Sequence, residues 1–460
     1  MNYFDVRYLT LIGHVQSGKT IEEINYCYSS ITQHQVPVVF IVRNITADQL
    51  QLRDRFSNFD HSMEVQLLKS LNNETAVAFL ENCGVLVLLC NEVQLRKAKN
   101  ILIQFNKPYH VCIDEVDFSI KSRTHLTSID NHLSFIKKNA KHILGATATP
   151  FAVFSSEKEL SKVRRITPQR KYHGIETLNV EYVDSCIIRS EEDFPMCDMP
   201  AMDTIYETFM EKESGMILHT VVKERENHYR IQQYLSVTYP EMTVIVYNGD
   251  GITVICKRRN DKPMCDRKNL NKYRQLINVY SYKNGVHTFS NYSISEVLQI
   301  LIDDPEHNHT HISIISGYLA SRGISFVSTD YSRHLTDQYF YASKTTHGEN
   351  LLQSLRILGC YNDDIPLTLW CSEKMWKNIL SHNKIINNLV DGVNNSMNWM
   401  GRLQEISINK PSSPLTRPRL CGYRMKPFQK KEFTLEIDYP QEQLEEELEE
   451  IETSEENDSS

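Results

Sequence analysis

The feature that most constrains this chain is the stretch Leu11–Thr20, LIGHVQSGKT. Gly13 is followed by four residues and then by Gly18-Lys19-Thr20, the spacing at which backbone amides wrap a chain of phosphates. Each position has a physical reason: glycine lets the backbone approach the phosphates, Lys19 reaches the β- and γ-phosphates, and the Thr20 hydroxyl ligates Mg²⁺. Gln16 and Ser17 lie inside the wrap. Such a loop needs a strand before it and a helix after it. The apolar run Tyr8–Ile12 and the helix-like segment Ile21–Tyr28 meet that need.

Further β-rich runs follow at Val36–Val42, Val85–Leu89, Val111–Ile113 and Ile143–Gly145, with helix-length segments such as Asp48–Phe56 and Gln94–Phe105 between them. Continuously apolar strands alternating with helices indicate a parallel sheet covered on both faces. After Pro150 the chain becomes charged and proline-containing, and a second alternating series begins with Met216–His219, Thr243–Tyr247, Ile312–Ile315 and Leu367–Trp370. The expected organisation is an α/β chain with two tandem doubly wound domains. The boundaries read as 1–155 for the first domain, 156–200 for a connection and 201–409 for the second domain, then 410–435 for a linker and 436–460 for an acidic tail.

At 460 residues the chain is long enough for two or three cores. It holds no uninterrupted apolar run of membrane-spanning length and does not open like a signal peptide. The eleven cysteines are scattered, with no C-x-x-C pair, so neither a disulfide framework nor a zinc site is indicated. An intracellular protein of cytoplasm or nucleus, without a membrane partner, is the expectation. Residues 436–460 carry twelve Asp or Glu and no Lys or Arg. The net charge of −8 therefore splits into −12 for this tail and +4 for the body. Such a tail buries too little apolar surface to fold alone; it solvates the chain, competes with nucleic acid for a basic channel, or docks on a protein partner.

Two segments narrow the class of nucleotide protein. In Val111–Ser119, VCIDEVDFS, a strand ends in Asp114-Glu115, which puts one carboxylate where it can hold Mg²⁺ and the next where it can polarise an attacking water. Leu144–Phe151 reads LGATATPF. The order GKT, DEVD, TATP resembles the motifs of superfamily II helicases, the DEAD/DExH-like motors. In that family the Thr-Ala-Thr step couples the ATP site to the nucleic-acid channel, and the resemblance assigns that role to Thr147 and Thr149.

The second half contains segments similar to the family's partner motifs. Ile314–Phe326, IISGYLASRGISF, matches the Gly-rich turn with Arg-Gly, giving Arg322 to coupling and Gly323 to the nucleotide. Gln353–Gly359, QSLRILG, resembles the final motif, in which Gln353 and Arg356 approach the γ-phosphate and Arg356 acts as the arginine finger. The wording GHVQSGKT, IDEVD, ATATPFA, SRGIS and Q-x-x-R-x-x-G is similar to that of Z1-domain helicase-related proteins, often labelled endonucleases. The likeness spans about residues 11 to 375. Many superfamily II members carry two arginines in the last motif, whereas Gly359 is followed here by Cys360-Tyr361-Asn362-Asp363.

The resemblance implies two RecA-like domains closing over ATP and Mg²⁺ while DNA or RNA is bound, with DNA favoured. Alternatives are an ATP-switched nucleic-acid clamp that does not unwind, and the ATPase part of an endonuclease. By position, Arg43 and Asn44 after the second strand, and His219-Thr220 at the first strand of the second domain, are candidates for backbone phosphates. Cys256–Arg274 holds eight Lys or Arg against two Asp, either a surface loop or a phosphate-tracking insertion. Tyr331, Tyr339, Phe340 and Tyr341 read as core aromatics, or as stacking faces for unpaired bases. A compact motor of this kind also suits a virus or mobile element.

Overall fold

Val38–Val42 is VVFIV with every side chain buried. A β-branched and aromatic run of this kind must be covered on both faces, and the same holds for Tyr8–Ile12 and Val85–Leu89. The computed structural model describes residues 2–59, 63–119, 128–150, 162–168, 171–183, 200–221, 225–256, 286–289, 292–304, 309–317, 320, 323–341, 348–361 and 365–395. Arg322, the basic run after Cys256, the linker 410–435 and the acidic tail 436–460 lie outside these residues.

The first sheet is built from β1 (Tyr8–Ile12), β2 (Val38–Val42), β3 (Val65–Leu67), β4 (Val85–Leu89), β5 (His110–Ile113), β6 (His142–Thr147) and β7 (Lys162–Arg165). Its order is β3-β4-β2-β5-β6-β1-β7 and every pairing is parallel. Alternate side chains enter two cores. Leu9, Leu11, Phe40 and Val42 pack on one face, and Tyr8, Val39, Ile41 and Val111 on the other. β6 lies between β1 and β5, pairing Leu11 with Ala146 and Ile113 with Gly145. All carboxyl ends therefore point the same way, and the phosphate loop after β1 and the acidic pair after β5 emerge on one edge.

The second half supplies β8 (Tyr172–His173), β9 (Asn179–Tyr182), β10 (Gly215–Thr220), β11 (Thr243–Asn248), β12 (Gly251–Ile255), β13 (Val286–Phe289), β14 (His311–Ser316), β15 (Asp337–Tyr339), β16 (Gly359–Cys360) and β17 (Thr368–Cys371). Eight of these form a sheet of order β13-β12-β11-β14-β10-β15-β17-β9. It is parallel except for the β11-β12-β13 meander at one edge. The chain is thus two tandem RecA-like α/β domains. Within 156–200, β7 extends the first sheet and β9 extends the second, while β8 pairs with β16.

The helix Thr46–Phe59 ties the two domains together. Gln51 exchanges two hydrogen bonds with the Ser325 backbone, at 3.0 and 3.2 Å. Ser293, which caps the helix Ile294–Ile302, donates to Asp54 Oδ2 at 2.7 Å. Among the described residues no helix is long and apolar enough to cross a membrane.

Candidate nucleotide-binding site

The phosphate loop is shaped by two left-handed residues, Gln16 at φ 54° and Gly18 at φ 91°. Glycine adopts the second without strain, and Gly18 caps the helix Lys19–His34, so the positive end of that helix faces the loop. The Gly13 N–H donates to the Thr147 carbonyl at 3.1 Å and ties the loop to β6. Lys19 is buried, and its ammonium donates across the loop to the His14 carbonyl at 2.9 Å. The Ser17 hydroxyl is buried without a hydrogen-bond partner among the described residues. An unsatisfied hydroxyl and an ammonium inside a loop of this curvature fit a chain of phosphates.

The loop opens into a cavity of about 330 Å³, in the range of small-molecule sites, whose lining includes Gly18, Lys19, Thr20, Asp114, Glu115, Gly323, Gln353 and Arg356. Residues read from opposite ends of the sequence therefore share one space. Asp114 and Glu115 follow β5 directly, and Glu115 takes a left-handed backbone, φ 49°, which non-glycine residues rarely adopt. Burial, first, and then the nearby Asp48 raise the Asp114 carboxyl above its ordinary range, against the pull of Arg43, Lys19 and Arg55. A carboxyl whose charge is costly when uncompensated fits a divalent cation, and Thr20 with Asp114 would hold it. Glu23, one turn beyond Lys19, is raised further by complete burial and by Asp114. Its carboxyl has no hydrogen-bond partner among the described residues.

The second domain reaches this space through Gln353–Gly359. Gln353 Nε2 donates to Glu115 Oε2 at 3.0 Å and to Thr149 Oγ1 at 2.8 Å, both across the domain boundary. Arg356 is buried and fixed by the carbonyls of Gln353, at 2.8 Å, and Ile324. Burial brings its guanidinium down to about 10, against the pull of Glu115 and with help from Arg43, so it is charged at neutral pH. Gln338 on β15 clamps the segment that carries it, donating to the Ser354 carbonyl at 2.8 Å and accepting from the Ile357 N–H at 3.0 Å. Gln16 completes the junction by donating to the Arg356 carbonyl at 3.0 Å.

Asp117 is a participant that the sequence reading did not single out. Fully buried after β5, it accepts from Thr147 Oγ1 at 2.8 Å and from Thr149 Oγ1 at 2.9 Å. Thr149 thus donates to Asp117 and accepts from Gln353, so Asp117, Thr149, Gln353 and Glu115 form one hydrogen-bonded chain across the two domains. The available signal was the fourth position of DEVD, two residues beyond Glu115, where a third acid follows a buried strand.

No family model matches the chain, and no curated protein matches it. Among solved structures it is similar to Mycobacterium smegmatis helicase Lhr bound to ssDNA and AMP-PNP, with a TM-score of 0.45 and 9% identity over 82% of this chain and 49% of that one. The chain spans about half the length of that helicase.

The candidates for nucleic-acid contact are placed differently from the nucleotide residues. Arg43 is 2% exposed and makes a two-pronged pair with Asp48, at 2.7 and 2.8 Å. A Cβ on Gly323 would lie 2.6 Å from the Arg43 guanidinium, and Gly323 has φ +69°, so glycine permits both the turn and the approach. His219 is fully buried, 3.2 Å from the Tyr206 hydroxyl and packed against the Tyr339 ring, and burial lowers it to about 3. Neither side chain lies at a surface: Arg43 is held in by an ion pair, His219 by aromatic packing. Asn44 is exposed and accepts from Asn91 at 2.9 Å, while Thr220 is partly buried. Tyr339 and Phe340 are buried in the core, whereas Tyr331 is 48% exposed and lines the cavity.

Proposed function

We propose that the chain is an ATP-dependent nucleic-acid motor of the helicase or translocase kind, with DNA slightly favoured over RNA, hydrolysing ATP with Mg²⁺ between its two domains. One observation carries the reading: the phosphate-loop residues and acidic pair of the first domain share a cavity with Gln353 and Arg356 of the second, and Gln353 bonds directly to Glu115. Lys19 and the loop amides bind the phosphates. Thr20 and Asp114 would hold Mg²⁺, which would neutralise phosphate charge and polarise the phosphoryl group. Glu115 orients and accepts a proton from the attacking water, and Gln353 fixes the Glu115 carboxylate. Arg356 stabilises charge developing on the transferred group. Thr147 and Thr149, held by Asp117, pass the state of this site to the nucleic-acid face, with Arg322 assigned to the same role by its motif.

The single arginine of the last motif, Arg356, favours a second reading, in which weak ATPase activity clamps nucleic acid without unwinding it. ATP turnover with Mg²⁺, measured alone and with single-stranded or duplex DNA and RNA, tests both, with Glu115→Gln as control. A motor predicts strong stimulation by one track together with strand separation or translocation. A clamp predicts ATP-dependent binding without strand separation. No ATP binding under any condition contradicts both.

A further inference from the structure

The last motif holds a single arginine, Arg356, yet a second guanidinium reaches the phosphate end of the cavity from another element. Arg55, near the end of the helix Thr46–Phe59, lines the same cavity. Its Nη1 donates to Thr20 Oγ1 at 2.8 Å, and its Nη2 donates to Ser325 Oγ of the second domain at 2.8 Å. The Thr20 hydroxyl oxygen is the atom that the loop motif assigns to Mg²⁺. A divalent cation held by Thr20 would compete with the guanidinium for that oxygen, and nucleotide phosphate oxygens in the same cavity would be the acceptors left to Arg55. The Gln51 pairing with the Ser325 backbone, one turn earlier on the same helix, holds this end of the helix against the second domain.

We propose that Arg55 is a second phosphate-binding cation of the site, held ready on Thr20 and Ser325 and transferred to the terminal phosphate when the metal-loaded nucleotide enters. The inference rests on the nucleotide reading above and adds to it a residue from the first domain doing what a second arginine of the last motif does elsewhere. Arg55 selects triphosphate over diphosphate, and Ser325 links that selection to the position of the second domain.

Equilibrium binding tests this without turnover. A fluorescent non-hydrolysable ATP analogue and the matching ADP analogue are titrated with Mg²⁺ into wild type, Arg55→Ala, Arg55→Lys, Ser325→Ala and Lys19→Ala, with circular dichroism verifying the fold. Loss of a charge-assisted contact predicts triphosphate affinity about tenfold or more weaker in Arg55→Ala. Diphosphate affinity stays close to wild type, Arg55→Lys recovers part of the loss, and Ser325→Ala retains triphosphate binding. Unchanged triphosphate binding in Arg55→Ala overturns the proposal. So does an equal loss in Ser325→Ala, because Arg55 would then be a tether between domains. Should Lys19→Ala bind both analogues like wild type, the nucleotide site itself falls and the role of Arg55 falls with it.

Discussion

The two domains share an architecture and differ in what their strand ends carry. In the first, the carboxyl ends of β1, β2, β5 and β6 lead into Lys19, Thr20, Arg43, Asp114, Glu115, Asp117, Thr147 and Thr149, nearly all of them polar and enclosed. In the second, the strand ends pack inward: His219 of β10 sits against aromatic rings, and Ser316 of β14 donates to the Tyr247 carbonyl at 2.8 Å. Its contribution to the cavity comes from the segments around Ser325 and Gln353–Arg356. A parallel sheet therefore supplies a rim, and the residues that end its strands decide whether the rim holds a substrate or completes a site held by another domain.

Replacing the holder gives the largest effect. Lys19→Ala lowers ATP turnover on the order of 10³-fold while leaving the thermal midpoint close to wild type, as an assay paired with a melting curve will show. A comparable loss from a strand-end residue of the second domain, such as Ser316→Ala, would break the comparison. Next comes the bridge. Asp117→Asn removes charge from two buried hydrogen bonds and costs about 2 kcal/mol of stability, measured by urea titration. Gln353→Ala removes the link from Glu115 to Thr149 and lowers turnover about tenfold with nucleotide affinity retained, since one buried charge-assisted bond is worth about 1.5 kcal/mol.

The smallest effect is one the two domains share. Burial lowers His219 to about 3, and burial with help from His142, Lys141 and His34 lowers His110 to about 3. Both imidazoles are neutral when folded, whereas the unfolded chain takes up protons near its ordinary value of about 6.5. Stability from these groups is complete above that value and declines as pH falls toward about 3. At pH 5.5 each costs about 1 kcal/mol relative to pH 7. Denaturation at the two pH values, with His110→Asn and His219→Asn, checks whether each domain bears its own share.

Much of this arrangement was legible from local pattern. Val38–Val42, Val85–Leu89 and the Val244–Val246 centre of Thr243–Asn248 are apolar because both faces are covered, and LIGHVQSGKT joins a strand to a helix with a glycine where left-handed backbone is needed. β3, β9 and β15 were not legible: three or four residues long, two of them at or next to sheet edges, they are defined by their neighbours. Arg43 and Arg55 show the same limit in the site. Both are arginines beside or on the helix after β2, and nothing local tells that one pairs inward with Asp48 while the other faces Thr20. The Arg43 partner lies five residues on in the same domain, whereas that of Arg55 is set by how two domains meet, over a sequence separation of 270 residues.

A site held by the first domain and completed by the second makes Arg356 a residue of rate and not of affinity. Single-turnover hydrolysis of MgATP by wild type and Arg356→Ala, with nucleotide affinity measured in the same samples, tests it most directly. The rate in Arg356→Ala is expected to fall on the order of 10³-fold with affinity nearly unchanged. Equal rates, or a loss confined to affinity, would contradict it.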